Sequence, residues 1–110
     1  MSKALPAITH LQYLVLDALE HDERAGRDLR ALLAAFGVRS SAPAFYQMMA
    51  RLEQARLVDG RYDQKVVDGQ HVKERRYTLT KGGARALGET RHFYREREAA
   101  ARAHGEASHA

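Results

Sequence analysis

A chain of 110 residues that is 45% hydrophobic and carries a formal net charge of +4 has the size of one domain with a single modest core. It contains no cysteine, which excludes a disulfide framework and any thiolate metal site. No apolar run approaches the roughly 18 residues of a membrane span, and no charged-then-apolar leader with a small-residue cleavage site is present, so a cytoplasmic protein with no membrane partner is expected. The charge is uneven: residues 1–24 carry a net −2, residues 25–94 a net +6, and residues 95–110 are neutral. A basic central block suits a polyanion.

Taken in order, residues 1–8 read as a lead-in, with Pro6 resisting helix. Thr9 and Gln12 have capping-box spacing, and Leu11, Leu14, Val15, Ala18 and Leu19 follow at helical spacing, which predicts a first helix over about 10–21. Its carboxylates sit late, where the helix dipole does not favour them. The acidic stretch 21–24 and the following Ala25-Gly26 read as a turn. A second helix is predicted over about 27–36, burying Leu29, Leu32, Leu33 and Phe36 and ending on Gly37. The third, over 41–58, opens with Ser41 as cap and Pro43 in its first turn. Phe45, Met48 or Met49, Leu52 and Ala55 give it one apolar stripe. Tyr46, Gln47, Ala50, Arg51 and Gln54 form the opposite face, whose amide and guanidinium groups are of the kind that contacts nucleic acid.

Beyond residue 58 the period falls from 3.6 to 2. Strands are predicted over 61–67 and 72–79, joined at Asp68-Gly69, a pair that suits a turn needing positive φ at both central positions. Tyr77 and Leu79 share the core-facing side, and the polar tip should project into solvent. Thr80 is placed to cap a last helix, with Gly82-Gly83 in its first turn, where two glycines signal close backbone approach. That helix is expected over 84–103, with residues 104–110 as a frayed tail. Its thin apolar seam calls for a partner helix. The expected fold is therefore mainly α with a small β-hairpin: a winged helix-turn-helix over residues 8–80 and a long C-terminal dimerisation helix over 81–103.

Two blocks of residues make this more specific. Ser41, Phe45-Tyr46, Met49, Leu52, Glu53 and Leu57 form the first; Arg75-Arg76-Tyr77-Thr78-Leu79-Thr80, Gly83 and Leu87 form the second, with Gly26 and Leu29 at the start of the second helix. In this the chain resembles the PadR family of winged-helix transcriptional regulators, short type, over roughly residues 8–94. It departs from the family at Pro43-Ala44, where Gly-Thr is usual, at Arg27, where an aromatic is common, and at Arg56, which replaces a glycine and so predicts a third helix without a left-handed cap. The resemblance implies a homodimeric repressor on a two-fold operator in double-stranded DNA, released in some relatives by a small hydrophobic effector. It also implies that the last helix pairs across the dimer with the first, making Leu11, Leu14, Leu87, Phe93 and Tyr94 interface residues.

Within that frame Gln47 suits adenine and Arg51 a guanine or phosphate, with Tyr46 beside them. Ser40 and Ser41 stand where a phosphate meets a helix start. Lys65, Lys73, Arg75 and Arg76 are the wing's candidate phosphate contacts. The alternative is a winged helix that serves as a protein–protein interaction module. The six histidines include no i, i+4 pair, and no catalytic constellation or cofactor motif is present, so no enzyme, cofactor or metal site is expected.

Overall fold

The computed structural model describes residues 8–109, with side chains through Gly105. The lead-in at 1–7 and the final Ala110 lie outside the described residues. The elements run α1 (His10–Ala18), β1 (Arg24–Ala25), α2 (Gly26–Ala35), α3 (Ala42–Gln54), β2 (Val58–Val67), β3 (Gln70–Leu79) and α4 (Lys81–His109).

The capping box at the start of α1 is formed: the Gln12 amide N–H donates to Thr9 Oγ1 at 3.1 Å, and the Thr9 N–H to Gln12 Oε1 at 3.0 Å. The helix stops at Ala18, short of the expected residue 21, because the chain turns back and Arg24 Nε donates to the Ala18 carbonyl at 2.7 Å. The stretch read as a plain turn contains a two-residue strand: Arg24 pairs with Tyr77 and Ala25 with Arg76, so the hairpin becomes a three-stranded antiparallel sheet of order β1-β3-β2. A strand this short has no periodicity to detect. Its pairing is set by tertiary packing.

The ends of α2 and α3 are built alike. Gly37, at φ 88°, donates to the Ala34 carbonyl at 3.0 Å, and Val38 to Leu33 at 2.8 Å. Arg56, at φ 61°, donates to Glu53 at 2.9 Å, and Leu57 to Leu52 at 2.9 Å. Both are Schellman caps. The expectation that α3 would lack a left-handed cap is therefore corrected: Arg56 adopts the conformation itself, at a cost of about 1–2 kcal/mol for an L-residue. It also moves the end of α3 back from the expected residue 58 to Gln54 and releases Val58 to start β2, ahead of the expected residue 61.

The hairpin register runs from Val58↔Leu79 to Val67↔Gln70. Asp68 and Gly69 have φ of 51° and 77°, as the two-residue loop requires. The tip carries exposed apolar groups as well as polar ones, since Val66 is 63% and Val67 41% exposed.

Where β3 hands over to α4, Thr80 ties the end of α3 to the first turn of α4. Its N–H donates to the Leu57 carbonyl at 3.2 Å, and its hydroxyl donates to the Arg56 carbonyl at 2.7 Å while accepting from the Gly83 N–H at 2.9 Å. A Cβ on Gly83 would lie 2.0 Å from the Leu57 oxygen, which is the close approach expected of the glycine pair. From this anchor α4 runs 29 residues, about 44 Å at 1.5 Å per residue, continuing past the expected end at residue 103. It gives the molecule its elongated extents of 68 × 29 × 23 Å.

The core lies where α1, α2, α3 and the base of the sheet meet: Ile8, Val15, Leu16, Leu19, Leu29, Leu33, Phe45, Met49, Leu52, Val58 and Tyr77, with Leu87 added from α4. Met49 rather than Met48 is the fully buried methionine of α3, and Phe36, expected inside, is 58% exposed beyond the last turn of α2. Two substitutions test the α3–α4 junction. Gly83→Ala should cost about 2–4 kcal/mol in urea unfolding, because backbone must move to admit the methyl. Arg56→Gly should stabilise the fold by about 0.5–1 kcal/mol, the relief of the left-handed strain exceeding the added chain entropy of glycine.

Candidate nucleic-acid interface

The outer face of α3 is open. Gln47, Ala50, Arg51 and Gln54 are exposed, and Arg51 forms no ion pair among the described residues. Tyr46 is less free: its ring meets Phe45 edge-on at 5.1 Å between centroids and lies over Gly26, although the side chain remains 38% exposed. Ser41 is engaged as the cap of α3, accepting from the Ala44 N–H at 3.2 Å. Ser40 is half-buried, and its carbonyl accepts from Arg30 Nε at 3.0 Å.

The wing's cations are mostly committed within the molecule. Arg75 donates to Glu53 on α3, lies 4.6 Å from the centroid of the Tyr62 ring, and has 24% of its side chain exposed. Gly60 leaves space for this pair, since a Cβ there would come within 2.6 Å of Glu53 Oε1. Burial works against the Arg75 charge, but the Glu53 carboxylate more than offsets it and the pKa is raised. Arg76, on the other face of β3, donates through Nε to Glu23 at 2.6 Å and through Nη1 to Glu74 at 2.8 Å. Arg61 joins it on Glu23 at 2.8 Å. The buried Glu74 also has Oε1 2.9 Å from Arg27 and 3.7 Å from Lys65, in ion-pair rather than aligned hydrogen-bond geometry. Lys73 is exposed, and its ammonium sits 5.5 Å from the centre of the Tyr62 ring, with no carboxylate partner among the described residues.

Bonds from Arg76 and then Arg61 hold the Glu23 carboxyl below its ordinary 4.5, and Arg76 does the same for Glu74. Burial pushes the Tyr77 hydroxyl up to about 12, so it stays neutral at the foot of the wing. Between α3 and the wing these residues border an open cleft of about 530 Å³, lined by Tyr46, Ala50, Glu53, Tyr62, Lys73, Arg75 and Tyr77. A second cavity, of about 290 Å³, lies on the outer side of α2 beside the turn into α3.

The two late carboxylates of α1 have a partner on α4. Arg91 donates to both oxygens of Glu20, at 2.7 and 2.8 Å, and to Asp17, which lowers the Glu20 pKa and raises that of Arg91. Beside this clamp Tyr13 meets Tyr94 edge-on at 6.5 Å and Phe93 meets Tyr94 at 5.3 Å. Leu11, Leu14 and Phe93 are half-buried and Tyr94 is 47% exposed. Leu87, expected at a dimer seam, is only 1% exposed in its own chain and belongs to that chain's core.

Reading the sequence found the arginines of the wing but missed the carboxylates that hold them, Glu23, Glu53 and Glu74. The hairpin register offered part of the signal, because two-residue alternation puts Glu74 and Arg76 on one face of β3. Nothing local links Glu23 to either.

Comparison with solved structures places this geometry in a known class. Bacillus subtilis PadR in complex with operator DNA matches at TM-score 0.62 and 20% identity, over 74% of this chain and 46% of that one. A PadR family transcription regulator from Clostridium difficile matches at 0.72 and 17%, over 84% of this chain and 94% of that one. One from Eggerthella lenta matches at 0.64 and 26%, over 88% and 80%. The chain thus spans less than half the length of the Bacillus protein but most of the other two. No family model and no curated protein matches. The fold is PadR-like: a winged helix-turn-helix with a long C-terminal helix.

The lowered carboxylate pKa values set a pH dependence. A group whose folded pKa is depressed contributes stability above its unfolded value and loses it as pH falls through the folded value. The melting temperature should be flat from pH 7 to about 5 and fall below that, as Glu20, Glu23 and Glu74 protonate. Glu74→Gln should flatten the acid limb, read by circular dichroism melts across that range.

Proposed function

We propose that this chain is a DNA-binding transcription regulator that acts as a homodimer on a two-fold operator, most simply as a repressor in the cytoplasm. The observation that carries this reading is the uncommitted polar face of α3, with Gln47, Arg51 and Gln54 exposed beside a basic wing in a PadR-like fold. That the Bacillus subtilis neighbour is a complex with operator DNA supports it. α3 would lie in the major groove, where Gln47 can pair with adenine and Arg51 with guanine or a phosphate. Lys73 is the wing's contact with the backbone. Tyr46, Ser40 and Ser41 stand at the edge of that contact, while Lys65, Arg75 and Arg76 serve it by holding the wing in place.

In the dimer, the exposed half of α4 pairs with α1 of the second copy. Leu11, Leu14, Phe93 and Tyr94 supply the seam, and Leu87 supports it from beneath. A small hydrophobic effector would enter this aromatic seam, where it can alter the separation of the two α3 helices. A mobility-shift titration on the DNA upstream of the chain's own gene tests the function. Binding should be tight at low salt and weaken steeply as salt rises. Gln47→Ala should reduce preference for the operator over scrambled DNA by about 1–3 kcal/mol. Absent binding, or tight binding indifferent to salt, would overturn the proposal.

A further inference from the structure

The wing's arginines are paired with carboxylates of the same molecule, so apart from Lys73 the positive charge left for a polyanion lies elsewhere. The cavity on the outer side of α2 is lined by Arg27, Arg30, Ala31, Ala34, Arg39 and Ser40. Ala31 and Ala34 keep its floor low, and three guanidinium groups with a serine surround it. Arg39 is exposed and pairs with no carboxylate among the described residues. Arg30 spends only Nε, on the Ser40 carbonyl, which fixes the side chain across the cavity and leaves its terminal N–H groups. Arg27 shares its charge with Glu74 but remains 60% exposed.

We infer that this cavity is a phosphate clamp. Arg39 and Arg30, with Arg27 as flank, take a phosphodiester of the DNA backbone and supply more of the sequence-independent affinity than the wing does. The inference rests on the proposed DNA-binding function. Its position fits: in a helix-turn-helix the first helix crosses the backbone while the start of the second meets the base edges, and Arg39-Ser40 immediately precede Ser41, the cap of α3. The guanidinium fork suits a phosphate's paired oxygens. The clamp carries no base information, so it acts equally on every sequence.

The test is fluorescence anisotropy with a labelled duplex of arbitrary sequence and with the operator, at several chloride concentrations. Each phosphate that the protein no longer neutralises should reduce the slope of log affinity against log salt by about 0.9. Arg39→Ala should lower the slope by about that much per bound protomer on both duplexes. Arg30→Ala with Arg39→Ala should weaken binding further while lowering the slope by about the same amount, since both side chains serve one phosphate, and Arg75→Ala or Arg76→Ala should lower it much less. Arg39 has no structural partner among the described residues, so Arg39→Ala alone suffices if the double variant fails to fold.

An unchanged slope in Arg39→Ala, or no binding of the arbitrary duplex at low salt, overturns the clamp even where operator preference persists. A reduced slope without operator preference keeps the clamp and removes the regulator reading. Inorganic phosphate is the remaining arm. If it displaces the duplex more strongly than chloride at equal ionic strength, and Arg39→Glu abolishes the difference, the cavity is a free-anion site and the backbone assignment is wrong.

Discussion

The architecture depends on the junction where α3 ends and α4 begins. Arg56 turns the chain through a left-handed conformation, and the carbonyls of Arg56 and Leu57 are received by Thr80, with Gly83 pressed against the second of them. Three consequences follow. Val58 is released into β2 in register with Leu79. The hairpin leaves directly from the end of α3. And α4 starts from the same point, so α3 and α4 share one origin. Glycine at residue 56 would meet the same φ without strain. Arginine does so because the two Schellman hydrogen bonds and the Thr80 hydroxyl fix the backbone around it.

Charge is distributed by the same fold. The N-terminal segment, net −2 by sequence, sends Glu20 to Arg91 and Glu23 to Arg61 and Arg76. Glu53 leaves α3 for Arg75, and Glu74 gathers Arg27, Lys65 and Arg76. Such partly exposed pairs add little to global stability one by one. Their effect is geometric: they tie the wing to β1, to α2 and to α3, so that the hairpin base is held on three sides. The net charge of the central block therefore overstates what the wing can offer a polyanion, and Arg39, Arg51 and Lys73 are among the exposed cations with no carboxylate partner among the described residues.

Much of the fold was legible because it rests on local chemistry. The Thr9–Gln12 box, Gly37, Ser41, Asp68-Gly69 and the closely packed Gly83 each announce a cap, turn or contact in a few neighbouring residues, and each is found in place. What escaped was tertiary in origin. The two residues of β1 pair with β3 only once the core has formed. Arg56 conceals a left-handed site because its side chain does not advertise one. Leu87 has seam spacing, yet it is buried in the core of its own chain. In the interface the candidate cations were visible by type; Glu74 lies two residues from Arg76, but Glu53 and Glu23 lie 22 and 53 residues from Arg75 and Arg76, beyond the reach of any local pattern.

A division of labour follows for a chain of this kind on DNA. A wing whose arginines are free can act as a flexible electrostatic arm, recruiting its contacts as it binds. Here Arg75 and Arg76 are already held, and releasing either one would leave Glu53 or the buried Glu74 short of a partner, a penalty that phosphate contact must first offset. Holding them favours a preformed surface that gives up less side-chain entropy on binding. On the proposed reading, the same arrangement would transfer the sequence-independent attraction to the α2–α3 turn, next to the first turn of α3. On the proposed reading, a phosphate held there would set the depth and tilt of α3 before any base edge is read, so that Gln47 and Arg51 would meet the groove in one register.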